Sequence, residues 1–329
     1  MIPKPRLTGL KSTLGRTTSA ALVCHRKPDG DAIGATVGLG LALEARGTAV
    51  HYVCVDPIPT HYRFLPHTDR FVTAVPKDID LVCLLDCGSD KLSGLNLAEA
   101  IGSVPLVELD HHPKSGPSPK PRRLAIYDQL AAATAEIVYE VLDFAEYPID
   151  RNIATALLTG IVTDTAAFQT QNTSARTFQV AAALLAKGAR HKEILKNCFY
   201  NSSIPKLRLW GTAMSRIEQN SSAEGIVTTV ITREDIEECG AHPDDLEGLV
   251  GFLNAIPGVP ALMLLTDLRQ GEVKGSLRTR HRSVEVNKLA HVLGGGGHAQ
   301  AAGFSVPGRL AQNLDNSWKV LPPEATEAR

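Results

Sequence analysis

The chain has 329 residues, of which 43% are hydrophobic and 21% charged, and its formal net charge is -1. This length exceeds one ordinary domain and predicts two, and the composition is typical of a globular protein. The near-neutral charge excludes a global basic field for long nucleic acid, while a local basic groove stays compatible with it.

The cysteines and the apolar runs indicate the compartment. Six cysteines are present and none forms a CxxC pair, so we expect neither a zinc framework nor disulfides. The first 18 residues are polar and basic without an apolar stretch typical of a secretory signal. No apolar run approaches the roughly 20 residues that cross a bilayer. We therefore expect a cytoplasmic protein with no membrane association.

The first half of the chain alternates between strands and helices. Residues 1–18 are expected to lead into the first strand. Apolar residues predict strands at 20–24 and 48–55. Continuous apolar runs at 79–87 and 104–112 predict parallel strands buried on both faces. Helical patterns occupy residues 32–47, 131–145, 152–168 and 174–189. This alternation predicts a doubly wound, mostly parallel α/β sheet. The Pro- and Ser-rich segment 113–123 predicts a solvated loop, with a mobile lid as the alternative.

The second half predicts a smaller α+β domain. Its strands are expected at residues 226–232, 261–268 and 273–279, with a helix at 247–256, and residues 286–306 predict a helix, a glycine loop, a short helix and a strand. The predicted organisation is a catalytic domain over 1–190, a helical linker over 191–222, a substrate-binding domain over 223–308 and a disordered tail over 309–329. We expect the active site in the cleft between the two domains.

Acidic and imidazole side chains stand where the predicted strands end, and ligands bind at the carboxyl ends of strands in open α/β sheets. Clustered carboxylates raise each other's pKa values, and divalent cations relieve this repulsion. Asp and His ligands without thiolates suit Mn²⁺, Mg²⁺, Co²⁺ or Zn²⁺, and two such ions can hold both oxygens of an in-line phosphoryl displacement. The candidates are His25, Asp29, Asp31, Asp86, Asp110, His111, His112 and Asp164.

Each of these residues alone also has a structural explanation. A lone Asp at a strand end is more often a helix cap or a turn former, and Asp31 could cap the helix that follows it. The joint occurrence of PDGD, a strand-end Asp, DHH and TDT in this order favours a metal centre over unrelated structural roles.

A glycine-rich segment near the end of the second domain is the other candidate site. Its backbone N–H groups, followed by a predicted helix N-terminus, could bind a phosphate. Arg278, on the strand before it, could clamp a phosphate through two hydrogen bonds, although a lone Arg is more often a surface charge. The candidate substrate-binding residues are Arg278, Gly295, Gly296, Gly297 and His298.

The motifs HRKPDGDAIGA, LLDCG, ELDHHP and TGIVTDTAAF resemble, in this order, the four motifs of the DHH phosphoesterase superfamily. KGSLRT, VNKLA and GGGGHAQAAG resemble its DHH-associated C-terminal domain. The resemblance covers almost the whole chain and is nearest to the bacterial nano-RNase and 3'-phosphoadenosine 5'-phosphate phosphatase branch. It implies an Mn²⁺-dependent hydrolase, with Mg²⁺ or Co²⁺ as alternatives, that acts as an exonuclease-like oligoribonuclease on short oligonucleotides or related adenylates. It is also compatible with a homodimer.

The resemblance also implies a role for each residue. One ion would be held by His25, Asp29 and Asp86. The other would be held by Asp31, Asp86, His111 and Asp164, with Asp86 shared. Catalytic roles would fall to Asp86, to His112 beside the scissile phosphate, and to Asp110, which would orient a histidine. The second domain would bind the far phosphate or terminal nucleotide through Arg278, the glycine loop and His298.

The chain departs from the resemblance at three places. Ala35 follows Gly34 where Ser is frequent, Ala166 stands where the fourth motif often has Gly, and HHPKSGPSPK lacks the Asn that often follows DHH. None removes a proposed metal ligand, so activity is expected while substrate preference stays open among dinucleotide RNA, cyclic di-AMP, linear pApA and 3'-phosphoadenosine 5'-phosphate.

Three other functions share some of these features. A DHH-type inorganic pyrophosphatase would lack the glycine-loop pattern. A single-strand exonuclease of the RecJ type would need an extra domain for which the chain leaves no room. A non-catalytic nucleotide sensor would be favoured by a missing metal ligand, and none is missing. Long duplex nucleic acid is not an expected partner.

Overall fold

The computed structural model describes residues 2–113, 123–200, 203–219, 225–246, 248–269, 271–281, 283–314 and 317–322. The chain forms two compact units, Met1–Asn201 and Ser202–Arg329. Among the helices in these ranges, none combines the length and the apolar character needed to cross a membrane. All six cysteines are free thiols. Most of the predicted loop, residues 114–122, lies outside the described residues.

The first unit alternates strands with helices, as its apolar pattern predicts. Its strands are β1 (Ser19–Cys24), β2 (Ala49–Val53), β3 (Leu81–Leu85), β4 (Leu106–Asp110) and β5 (Arg123–Tyr127). Its helices are α1 (Lys4–Arg16), α2 (Gly30–Glu44), α3 (Leu97–Ile101), α4 (Thr134–Phe144), α5 (Arg151–Asp164), α6 (Ala175–Ala186) and α7 (His191–Cys198).

The five strands form one parallel sheet in the order β2-β1-β3-β4-β5. In the register of this sheet Cys24 lies opposite Leu85, so β1 and β3 end side by side. The chain leaves β1 towards β2 on one side and later returns to β3 on the other. The sheet therefore has its topological switch point between β1 and β3, which is where ligands bind in open α/β sheets.

Both faces of this sheet are covered, which confirms the prediction of buried parallel strands for β3 and β4. On β1, Ala20 and Leu22 pack into a large core formed with α1, α2, α4, α5 and α6. The alternate residues Ala21 and Val23 pack on the opposite face against α3. Strand side chains alternate between faces, so a strand buried on both sides must be apolar throughout.

The N-terminal segment differs from its prediction as a polar lead to the first strand. Residues 4–16 form α1, which buries Leu7, Leu10 and Leu14. These residues recur at intervals of three and four, so one narrow apolar stripe packs on the core while the rest of the helix stays polar.

The second unit is a smaller α+β domain, as predicted. Its main strands are β6 (Glu218–Gln219), β7 (Val227–Ile231), β8 (Leu262–Arg269), β9 (Glu272–Arg278), β10 (Gly296–His298) and β11 (Ala301–Pro307), in the order β10-β11-β9-β8-β7-β6. Its helices are α8 (Ile204–Ser215), α9 (Arg233–Cys239), α10 (Leu249–Leu253) and α11 (Val286–Val292). Only β7 and β8 pair in parallel within this sheet.

Two predicted boundaries differ from the structure. The segment 191–222 is not one linker, because α7 belongs to the first unit while α8 buries Leu209 and Ala213 in the core of the second. The prediction of a disordered tail from residue 309 is wrong for its first part. There β12 (Arg309–Gln312) and β13 (Trp318–Leu321) form a two-stranded antiparallel sheet, and Leu310 is buried against Val230 and Val273. Residues 323–329 lie outside the described residues.

Candidate metal centre

The predicted metal ligands of the first unit converge at the carboxyl ends of its strands. His25 follows β1, Asp86 follows β3, and Asp110, His111 and His112 stand at the end of β4. Asp29 and Asp31 lie at the start of α2, and Asp164 ends α5. The switch point of the sheet therefore brings together side chains that are far apart in the sequence.

Asp86 is the centre of this cluster. Its Oδ2 atom lies 3.6 Å from His25 Nε2, and its Oδ1 atom lies 3.6 Å from His111 Nε2 and 3.2 Å from His112 Nδ1. The residue is 3% exposed and has a left-handed backbone, with φ of 57°. A non-glycine residue in this conformation is uncommon and is often found at a functional site. A carboxylate whose two oxygens face different histidines is suited to bridging two ions.

Three overlapping groups of side chains could each hold a metal ion. Within each group the ligand atoms lie within 4.8 Å of one another. The groups are His25 with Asp29 and Asp86, Asp31 with His111 and Asp164, and Asp86 with His111 and His112. They contain the six predicted ligands together with His112, and they share Asp86 and His111.

The environment of His111 shows that the cluster fits a cation. Its Nε2 atom is buried and has no hydrogen-bond partner among the described residues. It lies 3.5 Å from Asp164 Oδ2, 3.6 Å from Asp86 Oδ1 and 3.9 Å from Asp31 Oδ2. These separations are too long for good hydrogen bonds. Ligands about 2.0–2.2 Å from one metal ion are themselves roughly 3–3.5 Å apart, so the spacing is close to that of a coordination shell.

The pKa values of the carboxylates in this cluster are shifted in different directions. Burial, followed by the charges of Asp86 and Asp164, raises the pKa of Asp31 well above its usual value. Burial and the charge of Asp86 raise the pKa of Asp164 to about 7. The pKa of Asp86 is lowered in spite of its burial, because His112 Nδ1 and His25 Nε2 lie 3.2 and 3.6 Å from its carboxylate and the nearby histidines attract its charge. Three carboxylates in so small a space repel one another, and a bound cation would relieve this repulsion.

The pKa values of the histidines are also shifted in different directions. Burial lowers the pKa of His25, but the carboxylates of Asp29 and Asp86, 3.7 and 3.6 Å from its Nε2 atom, outweigh it and raise the pKa to about 11. Hydrogen bonds to Asp110 and Asp86 raise the pKa of His112 to about 10. Burial lowers the pKa of His111, which keeps its imidazole neutral. A neutral imidazole is the form that binds a metal.

Asp29 and Asp31 have different roles at the start of α2. Asp29 is the N-cap, and its carboxylate accepts hydrogen bonds from the N–H groups of Asp31 (3.1 Å) and Ala32 (3.0 Å). The alternative that Asp31 caps this helix is therefore wrong. The Asp31 carboxylate instead accepts from the N–H groups of Thr134 (2.5 Å) and Ala135 (2.9 Å) at the start of α4.

Asp110 contacts His112 and Gly88. Its Oδ1 atom lies 2.9 Å from His112 Nδ1 and accepts a hydrogen bond of 2.8 Å from the His112 N–H. Its Oδ2 atom accepts from the N–H of Gly88. This carboxylate therefore fixes the orientation of the His112 ring, as expected for a supporting residue.

Sequence reasoning missed two residues that shape the cluster. Thr134 donates its hydroxyl to Asp86 Oδ1 at 2.9 Å, and its only sequence signal is its place after three alanines at a helix start. Gly160 leaves room for Asp31, because a Cβ at this position would lie 2.6 Å from Asp31 Oδ1. Its signal is the TG pair one turn before Asp164.

In the second unit, the strand register brings two of the predicted substrate-binding residues into one row. Ala301 pairs with Arg278 on one side and with His298 on the other. Directly paired residues share a face of the sheet, so Arg278 and His298 lie on the same face. Arg278 is half-buried, which lowers the pKa of its guanidinium, and it forms no ion pair with any carboxylate of the described chain. Its Nη1 atom donates to the carbonyl of Leu277 at 2.9 Å, and a partly desolvated cation without a carboxylate partner is suited to binding an anion.

The glycine segment differs from its prediction. No helix follows the glycines. Residues 296–298 form β10, which pairs with β11. A Cβ at Gly295 would lie 2.1 Å from Gly303 O, and one at Gly297 would lie 2.5 Å from Ala301 O. Close strand packing therefore explains two of the glycines without a phosphate, and no helix N-terminus stands behind them.

Comparison with known proteins finds a family match for each of the two units. The model of the DHH family N-terminal domain matches residues 19–161, and the model of the DHHA1 domain matches residues 224–321. A Thermus thermophilus protein described as a bifunctional oligoribonuclease and PAP phosphatase is 32% identical over 311 residues, covering 93% of this chain and 90% of that protein. A Bacillus subtilis protein of the same description is 25% identical, covering 90% of this chain and 93% of that protein.

A solved structure shares the fold over nearly the same length. The crystal structure of an exopolyphosphatase-related protein from Bacteroides fragilis has a TM-score of 0.82 and 23% identity, covering 92% of both chains. The order of the matched domains and the length of the matched relatives agree with the two units of the structure.

Proposed function

The chain belongs to the DHH family, and from this premise we propose that it is a metal-dependent phosphoesterase, acting as a phosphodiesterase on short oligoribonucleotides and as a phosphatase on 3'-phosphoadenosine 5'-phosphate. The substrate class rests on the Thermus thermophilus relative, which is matched over 90% of its length and is described by these two activities. Cyclic and linear di-AMP stay within the proposed substrate class because they contain the same kind of phosphodiester bond as a short oligoribonucleotide.

The observation that carries this proposal is the shared cluster around Asp86 and His111. One carboxylate faces histidines with both oxygens, and one buried imidazole nitrogen faces three carboxylates without a hydrogen bond. The unpaired nitrogen of His111 does not stabilise the folded chain by itself, since buried polar groups are normally paired. Both features are explained by cations that the side chains are arranged to hold.

The proposed ligands form two sets. The first ion would be held by His25, Asp29 and Asp86, and the second by Asp31, Asp86, His111 and Asp164. When bound, these ions supply positive charge to the phosphoryl oxygens and lower the pKa of water. The donor set of oxygens and imidazoles suits Mn²⁺, with Mg²⁺ or Co²⁺ as alternatives.

His112 is the proposed proton donor of the reaction. Asp110 Oδ1 and Asp86 Oδ1 lie 2.9 and 3.2 Å from its Nδ1 atom and favour a proton on that nitrogen. Its other nitrogen, Nε2, is then free to give a proton to the ester oxygen that leaves when water attacks phosphorus. General acid catalysis of this kind typically contributes about 10²–10⁴-fold to a rate.

The second unit is proposed to select short substrates. Arg278 and His298 share one face of their sheet and would bind the phosphate or terminal nucleotide that is not cleaved. The cytoplasm as the compartment and a homodimer as the assembly belong to the same proposal, and light scattering tests the latter.

A comparison of substrates tests the function. The protein, purified with Mn²⁺, is assayed on a ribodinucleotide, linear pApA, cyclic di-AMP, 3'-phosphoadenosine 5'-phosphate and pyrophosphate. We expect hydrolysis of the dinucleotide and the adenylates, and loss of turnover in Asp86→Ala. Preference for pyrophosphate would replace the proposal with the pyrophosphatase alternative. Binding of the dinucleotide without hydrolysis in excess Mn²⁺ would favour a sensor.

A further inference from the structure

Thr134, the first residue of α4, contacts two of the proposed metal ligands at once. Its side chain is fully buried. Its hydroxyl donates to Asp86 Oδ1 at 2.9 Å, and its backbone N–H donates to Asp31 Oδ2 at 2.5 Å. The neighbouring N–H of Ala135 donates to the other oxygen of Asp31 at 2.9 Å. The first turn of α4 therefore binds both Asp86, which the two proposed ligand sets share, and Asp31, which belongs to the second set.

The start of α4 lacks the usual local cap. Its N-cap is Ala133, which has no side chain that could accept a hydrogen bond. The first N–H groups of a helix have no partner within the helix and are normally satisfied by a cap or by water. Here the carboxylate of Asp31, from another helix, accepts two of them. The helix N-terminus and Asp31 thus satisfy each other, which fixes both oxygens of this ligand.

The hydroxyl of Thr134 fixes the orientation of the Asp86 carboxylate. Three groups face Asp86 Oδ1: the Thr134 hydroxyl at 2.9 Å, His112 Nδ1 at 3.2 Å and His111 Nε2 at 3.6 Å. His25 faces the other oxygen. A buried carboxylate with histidines on both sides could rotate to favour either of them. The threonine bond selects the rotation in which each oxygen faces its own set of ligands.

The turn before Thr134 is held by contacts that do not involve the metal ligands' side chains. The N–H of Asp128 donates to Asp110 O at 3.0 Å, which ties the turn to β4. The N–H of Ala132 donates to Glu136 Oε2 at 3.2 Å, and Asn172 Nδ2 donates to Ala132 O at 2.9 Å. The hydroxyl therefore approaches Asp86 from a fixed position.

We propose that Thr134 is a positioning residue that sets the orientation of the shared carboxylate Asp86 and, through its backbone, of Asp31, and so determines the affinity for the metal ions. This inference rests on the proposed function. It adds a residue that touches no ion and that lies outside the motifs from which the ligands were predicted.

Three variants test the proposal, with Mn²⁺ binding by isothermal titration calorimetry and steady-state kinetics as readouts. Thr134→Val removes the hydroxyl and keeps the shape, and we expect the affinity for at least one ion to fall about 10–100-fold, the usual effect of removing a group that orients a metal ligand. Thr134→Ser restores the hydroxyl and should bind close to wild type. Thr159→Val is the matched control, because Thr159 is equally buried but, among the described residues, its hydroxyl bonds only to the carbonyl of Thr155 in its own helix.

The kinetics separate positioning from general damage. With saturating Mn²⁺, Thr134→Val should recover part of its kcat, while the KM for a ribodinucleotide stays near wild type. Equal Mn²⁺ affinity in wild type and Thr134→Val would overturn the inference and leave the proposed function standing, as would a Ser variant as weak as Val. A wild-type protein that binds no Mn²⁺ would overturn both. If Thr134→Val does not fold, Thr134→Ala is measured in its place against the same expectations.

Discussion

Gly160 offers the sharpest test of how the cluster is packed. In Gly160→Ala the new Cβ would lie 2.6 Å from Asp31 Oδ1 and 2.7 Å from Ala135 Cβ. Carbon atoms in contact are normally about 3.5–4.0 Å apart, so the carbon contact is short by about 1 Å. Neither neighbour is the end of a flexible side chain. The Ala135 Cβ is fixed to α4, and Asp31 is held by two backbone N–H groups.

The structure therefore has to widen between α5 and α4, or Asp31 has to leave its two donors. Overpacking of this kind costs typically about 1–3 kcal/mol. Replacing a helical glycine with alanine returns about 0.5–1 kcal/mol, so we expect a net loss of about 1–2 kcal/mol in the free energy of unfolding. Because the displaced group is a metal ligand, we also expect weaker Mn²⁺ binding. Urea unfolding of the EDTA-treated protein and calorimetric titration with Mn²⁺ measure the two effects.

Two other glycines serve as controls. A Cβ at Gly15 in α1 would meet nothing within 4 Å, so Gly15→Ala should stabilise the protein slightly. A Cβ at Gly38 would lie 2.5 Å from Leu157 Cδ2, so Gly38→Ala should destabilise the chain without weakening Mn²⁺ binding. The reasoning is refuted if Gly160→Ala keeps both the wild-type stability and the wild-type Mn²⁺ affinity.

Three further outcomes follow from the structure. The pKa values of Asp31 and Asp164 are higher in the folded protein than in the unfolded chain. The stability that these two groups contribute is therefore complete at acid pH and is lost as the pH rises. For Asp164 this loss occurs as the pH rises through its folded pKa of about 7. The unfolding temperature of EDTA-treated protein should therefore fall between about pH 5 and about pH 8, and excess Mn²⁺ should oppose this fall; a metal-free protein that gains stability over this range contradicts the assignment. Arg278→Lys keeps the charge but loses the planar fork, and it should raise the KM for a ribodinucleotide more than it lowers kcat; an unchanged KM would remove Arg278 from the substrate site. Arg176→Met should lower the free energy of unfolding by about 3–5 kcal/mol, because it leaves the fully buried Glu136 without its cation, and an unshifted urea midpoint would show that this pair is not needed.

The sequence predicts the ligand cluster because one topological rule determines where it forms. Residues after β1, β3 and β4 meet once the strands are parallel and adjacent, so the positions of His25, Asp86 and His111 follow from the apolar runs before them. The order β2-β1-β3-β4-β5 itself was not predicted. It depends on which helices cover which face, and a periodicity pattern does not specify this.

Other features depend on contacts that no local pattern encodes. The hydroxyl of Thr134 and the missing side chain of Gly160 matter only because α4 and α5 pass close to Asp31 and Asp86. The short helix predicted after the glycines is a strand because β11 offers a pairing edge, and this tertiary pairing outweighs local preference. The tail hairpin was missed because its strands are short and mostly exposed.

The way Asp31 is held has a consequence for how this centre can change over evolutionary time. Its two donors are main-chain amides, and every amino acid except proline supplies one at positions 134 and 135. The hydrogen bonds that hold this carboxylate therefore depend on the path of the backbone rather than on residue identity. Mutation can alter the side chains there without deleting the donors, so this part of the centre would persist in sequences too divergent for a motif search to detect it.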